Sequence, residues 1–161
     1  MLLVVADTGP INYLVLIKQI ELLPILFDRI VIPEAVRLEL DDGDAPEEVR
    51  AWIQEPPPWI EVHPSPPFGD LGALENIHKG EKAAIVLAAL LDANLLLMDD
   101  RRGVRVAQSK GFTVTGTLGI LDRAADRGLI DFVSTVRQLE ATNFRRPEAL
   151  LERLLQKHDQ R

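Results

Sequence analysis

Short runs of consecutive apolar residues alternate along this chain with longer segments in which apolar residues recur at helical spacing. The first run covers residues 2–6, and Asp7 ends it before the turn formed by Thr8, Gly9 and Pro10. A continuous apolar run of this length is typical of a strand that is buried on both faces of a parallel sheet. Further strands are predicted at residues 29–32, 59–63, 94–98 and 112–114.

Helical segments are predicted between these strands. Pro10 suits the first turn of a helix, and residues 10–27 predict two short apolar helices, the second broken or kinked near Pro24. The other predicted helices cover residues 34–40, 46–54, 70–77, 80–91, 103–110, 116–127, 131–140 and 147–157. Strands that alternate with helices favour right-handed crossovers, so the sequence predicts an α/β fold with a parallel sheet and helices on both faces.

The length and composition fit one domain of residues 1–161 in a reducing compartment. A chain of 161 residues can bury a sizeable core, and the proline-rich segment 56–67 is interpreted as a loop of that domain. The absence of cysteine excludes disulfides and thiolate metal sites. The first apolar run is too short to span a bilayer and has no basic region before it, so we expect a cytoplasmic protein without a membrane segment.

The net charge and the motifs narrow the function classes. A formal net charge of -7 argues against a protein that coats nucleic acid through bulk charge, but not against an enzyme that holds a phosphodiester through metal ions. The chain lacks a glycine-rich dinucleotide fingerprint, a phosphate-binding P-loop, a G-x-S-x-G elbow and an H-E-x-x-H motif. His63, His78 and His158 are scattered without metal-ligand spacing.

Carboxylates at the ends of predicted strands are the strongest chemical signal. Asp7 follows the first strand, and Asp99 and Asp100 follow the strand at 94–98, so parallel strands place them at the same sheet edge. Glu81 lies in the first turn of the helix at 80–91, and Glu39 lies in the helix at 34–40. Acids that meet repel one another unless they bind a cation or take up protons, and oxygen ligands select Mg²⁺ or Mn²⁺.

Each acid also has a simpler interpretation on its own. Asp7 can cap the following helix, and one of Asp99 and Asp100 can cap the helix after the second acidic strand end. Glu81 favours a helix N-terminus through the helix dipole, and Glu39 can be a solvated helix residue. The prediction of a metal site therefore depends on the set rather than on any one member.

Four motifs give the chain a resemblance to a known family. They are VVADTGPINYL at 4–14, IPEAVRLEL at 32–40, GEKAAIVLA at 80–88 and LLLMDDRRGVRVAQSKG at 95–111. Their order and spacing resemble the PIN-domain family, and within it the VapC-type toxin ribonucleases, in a prokaryotic branch that begins with Asp-[Ser/Thr]-x-Pro. The resemblance covers about residues 2–125, which leaves 131–161 as a C-terminal helical extension.

The resemblance implies a three-layer α/β/α fold with a central, mostly parallel five-stranded sheet. It also implies a ribonuclease that cleaves single-stranded RNA, with Asp7, Glu39, Glu81 and Asp99 or Asp100 as its catalytic acids. The implied cofactor is Mg²⁺ or Mn²⁺, held by Asp7, Glu81, Asp99 and Asp100. The usual Thr-x-Asp spacing selects Asp100, with Met98 in place of the threonine, whereas the closer branch selects Asp99, which we favour as the strand-end group.

The resemblance also implies partners. Besides the RNA substrate, it implies a cognate antitoxin protein and a homodimer, for which the apolar helices at 10–27 are candidates. We expect Thr8, Lys79, Arg101 and Arg102 to contact substrate, and both arginines suit the carboxylates of an inhibitory partner equally well. Thr8 directly follows Asp7, whereas most such toxins place a hydroxyl residue two positions on.

Two other function classes fit part of the pattern. A metal-dependent phosphatase also has an aspartate at the end of its first strand, but this chain lacks the second aspartate two residues on. A non-catalytic module would keep the fold and some acids and bind RNA or a protein without cleavage. Replacement of Asp7 by Asn discriminates between these hypotheses, because it should abolish cleavage but leave partner binding intact.

Overall fold

A computed structural model describes residues 1–67 and 77–159. Its centre is a sheet of five parallel strands in the order β3-β2-β1-β4-β5. The strands are β1 (Leu3–Ala6), β2 (Arg29–Pro33), β3 (Ile60–His63), β4 (Leu95–Leu97) and β5 (Val114–Thr115). The predicted five-stranded parallel α/β fold is confirmed.

Nine helices are present in the described part of the chain. They are α1 (Thr8–Leu16), α2 (Leu22–Leu26), α3 (Glu34–Leu40), α4 (Glu47–Gln54), α5 (Lys79–Leu91), α6 (Arg101–Ser109), α7 (Thr117–Asp126), α8 (Phe132–Glu140) and α9 (Glu148–Asp159). No helix among the described residues has the combined length and apolar content that a membrane span requires.

The sheet separates two hydrophobic cores, which explains why its strands are apolar throughout. On one face, Val4 and Ala6 of β1 pack with α1, α2, α7, α8 and α9. On the other face, Val5 packs with α5 and with Ala107 of α6. Successive strand residues point to opposite faces, so a strand between two helical layers needs an apolar residue at every position.

The central position of β1 determines where the chain leaves the sheet. Ala6 of β1 pairs with Leu97 of β4, and the amide of Asp7 donates a 2.8 Å hydrogen bond to the carbonyl of Leu97. Asp7 and Asp99 therefore follow neighbouring parallel strands at the same edge. The predicted convergence of these two strand ends is present in the fold.

Several predicted boundaries differ from the observed ones. Pro24 does not break its helix, because it is the third residue of α2 and lies in the first turn, where a missing N–H costs nothing. The predicted strand at 112–114 is wrong by two residues, since β5 contains Val114 and Thr115 and both are only half-buried. Helix α6 begins two residues before the predicted start, at Arg101. The predicted helix at 70–77 lies mostly outside the described residues.

The last two helices pack onto the same core as the rest of the chain. Phe132 of α8 stacks on the ring of His158 of α9, with 4.4 Å between the ring centroids. Lys157 binds both Asp122 and Asp126 of α7, at 2.8 and 2.9 Å. These contacts fix where the segment between α8 and α9 lies.

Candidate active site

The carboxyl edge of the sheet opens into a cavity of about 630 Å³. All five acids that the sequence predicts line it: Asp7, Glu39, Glu81, Asp99 and Asp100. They come from the ends of β1 and β4 and from the helices α3 and α5. The fold thus brings together residues that are up to 93 positions apart in the sequence, from Asp7 to Asp100.

Asp7 is the most deeply placed acid. Its side chain is only 5% exposed, and its Oδ1 has no hydrogen-bond partner among the described residues. Burial raises the pKa of its carboxyl to about 8, and the charges of Glu81, Glu39 and Asp99 add to the increase. Asp7 occupies the N-cap position of α1 without a capping bond from its side chain, so the simple capping role does not account for it.

Glu39 is held from two sides. It accepts a hydrogen bond from the hydroxyl of Thr8, and the Nδ1 of His78 lies 2.9 Å from its Oε1. Gly80 makes room for it, since a Cβ at that position would lie 2.6 Å from Glu39 Oε2. Glu39 is thus directed toward the cavity and is not simply a solvated helix residue.

Glu81 lies in the first turn of α5, as predicted. Its Oε2 accepts a 3.3 Å hydrogen bond from the amide of His78, which is the N-cap residue of the helix. Burial raises the pKa of its carboxyl, and the negative charges of Asp100 and Glu39 add to this. Gly103 allows the close approach of Glu81, because a Cβ there would lie 3.0 Å from Oε2.

The two consecutive aspartates have different surroundings. Asp99 Oδ1 accepts a 2.7 Å hydrogen bond from the amide of Thr117, and its Oδ2 accepts a 2.6 Å bond from the Thr117 hydroxyl. Burial raises the pKa of Asp99, against the lowering effect of these two bonds. Asp100 is exposed and caps α6, since its Oδ2 accepts a 3.0 Å hydrogen bond from the amide of Gly103.

The predicted substrate-binding residues are not equally close to the acids. Thr8 and Arg101 line the acidic cavity. Arg102 lines a neighbouring, more open depression, together with Arg101 and Arg105. Lys79 is the exposed first residue of α5 and does not line the acidic cavity.

Sequence reasoning missed one wall of the cavity. Five consecutive residues between α8 and α9 complete it: Asn143, Phe144, Arg145, Arg146 and Pro147. No strand end or helix periodicity marks them, and only the packing of α8 and α9 brings them to this edge. His78 and Thr117, which hold Glu39 and Asp99, were also not predicted to take part.

A second acidic group lies elsewhere on the molecule. Asp122 and Asp126 of α7 and His158 of α9 offer ligand atoms within 4.8 Å of one another, the spacing of a possible metal-binding cluster. The ammonium group of Lys157 lies between the two carboxylates, at 2.8 and 2.9 Å. A cation of the chain itself thus already balances part of the negative charge of this cluster.

A parallel α/β sheet with acids gathered at its carboxyl edge defines an enzyme-type ligand site. A family model described as PIN domain matches residues 3–160, and the chain belongs to this family. PIN domains are in general nucleases that bind divalent metal ions, and membership of the family indicates a nuclease-type function. No curated protein and no solved structure matches the chain.

The residues of the cavity fit a divalent cation. Asp7 Oδ1 is a buried acceptor without a donor among the described residues, and burial, with the carboxylates around it, raises the pKa of this carboxyl. Glycines stand where a Cβ would collide with the acids, at Gly80 against Glu39 and at Gly116 against Asp99. A site with several unneutralised oxygen ligands is the kind that Mg²⁺ or Mn²⁺ occupies.

Proposed function

We propose that this protein is an endoribonuclease that cleaves single-stranded RNA with the help of Mg²⁺ or Mn²⁺. The observation that carries the proposal is the buried Asp7 carboxyl, whose Oδ1 has no hydrogen-bond partner among the described residues and which three further acids surround in an open cavity. Such a group is unfavourable to the fold unless a ligand uses it. Membership of the family supports a nuclease function in general, and the acids of the cavity support the proposed dependence on a metal ion.

We assign different roles to the acids according to their surroundings. We assign the metal to Asp7, Glu81 and Asp99, with Asp100 as the outermost member of the set. We assign Glu39, which accepts a hydrogen bond from the Thr8 hydroxyl, to the orientation of a water. When bound, the metal ion would lower the pKa of a coordinated water and stabilise negative charge at phosphorus.

Cations beside the acids fit the approach of an RNA strand. Arg101 lines the cavity itself, and Arg102 lines the adjoining depression. Lys79 lies on the outer surface at the start of α5, where it can contact a phosphate more distant from the cleavage site. Exposed cations of this kind position a strand by its backbone and do not read its sequence.

The resemblance to VapC-type toxins supports a proposal for the biological setting. We propose that the protein is the cytoplasmic toxin of a toxin–antitoxin pair, with a cognate antitoxin protein and a second copy of the chain as partners. The helices α1 and α2 are the candidates for contact with the second copy. Most of their apolar residues are buried in the core, whereas Ile25 of α2 is 51% exposed. Arg101 and Arg102 are the residues we expect an antitoxin's carboxylates to contact.

One observation supports a second candidate, a PIN module with weak catalysis that binds RNA or a protein. Met98 occupies the place where the resemblance expects a threonine, and it is fully buried with its sulfur beside Gly103. The site therefore lacks the hydroxyl that a threonine would contribute at this position.

Cleavage of a mixed-sequence, unstructured single-stranded RNA tests the two candidates. We expect the wild type to cleave it with Mn²⁺ or Mg²⁺ and not with EDTA. Loss of a metal ligand costs several kcal/mol of transition-state stabilisation, so Asp7→Asn should be slower by at least about 100-fold. Asp159→Asn is the matched control, because it removes an exposed acid at the end of α9 that does not line the cavity, and it should leave the rate unchanged.

The outcomes separate the candidates. Equal cleavage by Asp7→Asn and the wild type would contradict the assigned site. RNA binding without cleavage in the wild type, retained in Asp7→Asn, would support the non-catalytic module.

A further inference from the structure

The segment between α8 and α9, residues 141–147, is held rigidly against the first helix of the fold. We refer to it as the α8–α9 connector. The hydroxyl of Tyr13 donates a 3.0 Å hydrogen bond to Asn143 Oδ1, and the rings of Tyr13 and Phe144 pack edge to face with 5.0 Å between centroids. Because Tyr13 lies in the helix that begins after Asp7, these contacts tie the connector to the acidic cavity.

The connector is also fixed internally. The amide of Phe144 donates a 3.2 Å hydrogen bond to the hydroxyl of Thr142, which itself donates to the carbonyl of Leu139 at 2.6 Å. The following helix begins at once, with the amide of Leu151 bonded to the carbonyl of Pro147 at 2.9 Å. These hydrogen bonds hold the backbone of the connector to the end of α8 and the start of α9.

Two neighbouring arginines of the connector line the cavity but differ in their partners. Arg146 is already paired, since its guanidinium lies 2.7 Å from Glu140 and 3.9 Å from Glu148. Arg145 is exposed and makes no hydrogen bond or ion pair with the described residues. It is close enough to Tyr13 for its charge to lower the pKa of that hydroxyl, against the raising effects of burial and Asp99.

The charge balance of the cavity shows what Arg145 is suited to bind. Five acids line the cavity, so a polyanion can approach only where cations compensate at the rim. Arg101 on α6 and Arg145 on the connector are rim guanidiniums from two different elements. Guanidinium groups match the geometry of phosphate oxygens and can bind them through two hydrogen bonds.

We propose that the α8–α9 connector is an RNA-binding wall of the cavity, in which Arg145 binds a backbone phosphate of the single strand next to the cleavage site. This proposal rests on the proposed function, because it assumes that the acidic cavity receives RNA. It adds a binding residue that lies outside the four motifs at 4–14, 32–40, 80–88 and 95–111.

Salt-dependent RNA binding tests this role without interference from cleavage. The parent protein is Asp7→Asn, the probe is a fluorescent mixed-sequence single-stranded RNA, and the readout is anisotropy in Mg²⁺ at several salt concentrations. Each phosphate contact to a single strand contributes about 0.7 to the slope of log affinity against log salt. Arg145→Ala should therefore reduce the slope by about 0.7 and weaken binding about fivefold at about 0.1 M salt.

The control variants separate a phosphate contact from a structural effect. Arg153→Ala removes the same charge from an exposed position of α9 that does not line the cavity, and should leave the affinity and the slope unchanged. Arg145→Lys should restore most of the slope, because it keeps the charge at the same place. Far-UV circular dichroism and thermal unfolding confirm that the variants compared are folded.

Each outcome decides one of the two proposals. If the parent binds RNA and Arg145→Ala matches Arg153→Ala in slope and affinity, the role of Arg145 is refuted and the proposed function stands. If neither the parent nor the wild type binds or cleaves RNA, the proposed function fails and the connector proposal fails with it.

Discussion

Replacement of Asp7 by Asn should stabilise the metal-free protein at neutral and alkaline pH. The folded state raises the pKa of Asp7 from 3.8 to about 8, mainly by burial. Between these two values the folded carboxyl is protonated while the unfolded one is ionised, so the free energy of unfolding decreases as pH rises from about 4 to about 8. Asparagine does not ionise, and its amide can donate hydrogen bonds to neighbouring acids.

The magnitude follows from the size of the shift. A shift of four pKa units means that the ionisation of Asp7 lowers the free energy of unfolding by at most about 6 kcal/mol at pH 8 and above. Relaxation and the entry of water reduce this limit, and we expect a gain of about 2–3 kcal/mol. For a chain of this length that is about 4–12 °C in melting temperature. At pH 5 the limit is under about 2 kcal/mol, because only about one unit separates this pH from the unfolded pKa.

The assay is urea unfolding in EDTA at half-unit pH intervals from 5 to 8.5, for the wild type and Asp7→Asn. Asp131→Asn is the control, because the pKa of Asp131 is lowered by its bond from the amide of Ser134 and its loss cannot stabilise the protein by the same route. A gain in Asp7→Asn that is equal at all pH values would refute the reasoning, since it would reflect packing and not ionisation. No gain at pH 8 would refute the buried, repelled state of the carboxyl.

Two further changes test how the acids are held. Gly80→Ala should displace Glu39 and reduce RNA cleavage at least about tenfold, because overpacking costs about 1–3 kcal/mol. Gly43→Ala is the control, since a Cβ at that position meets open space, and this variant should cleave at the wild-type rate. Thr117→Val removes the hydroxyl that lowers the pKa of Asp99, so that pKa rises and the acid limb of Mn²⁺ binding, measured by calorimetry, should move to higher pH. An unmoved acid limb would show that Asp99 is not a ligand.

The predictable part of the fold is the part that local patterning determines. The apolar runs that became β1, β2 and β4 are continuous because these strands are covered on both faces, and a pattern of that kind is visible without tertiary information. Strand β5 was misplaced because its two residues are only half-buried and carry little of this pattern. Pro24 was misjudged because its effect depends on where the helix begins, which packing decides.

The same distinction applies to the site. The positions of Asp7 and Asp99 at the sheet edge were predictable because Asp7 directly follows β1 and Asp99 comes two residues after the end of β4. The contacts of Glu39 with Thr8 and His78 join residues 31 and 39 positions apart, and no local pattern encodes them. The place of Arg145 in the cavity could not be predicted for the same reason, since its position depends on the packing of α8 and α9 against α1 and α7.

The α8–α9 connector has a consequence for the timing of synthesis. Every acid of the cavity lies within the first 100 residues, whereas the wall formed by residues 143–147 is made last. A nascent chain can therefore assemble the sheet and its acids well before it has the means to enclose a substrate. The complete cavity arises only when residues 143–147 have also left the ribosome, so the acids can gather before the wall that faces them is in place.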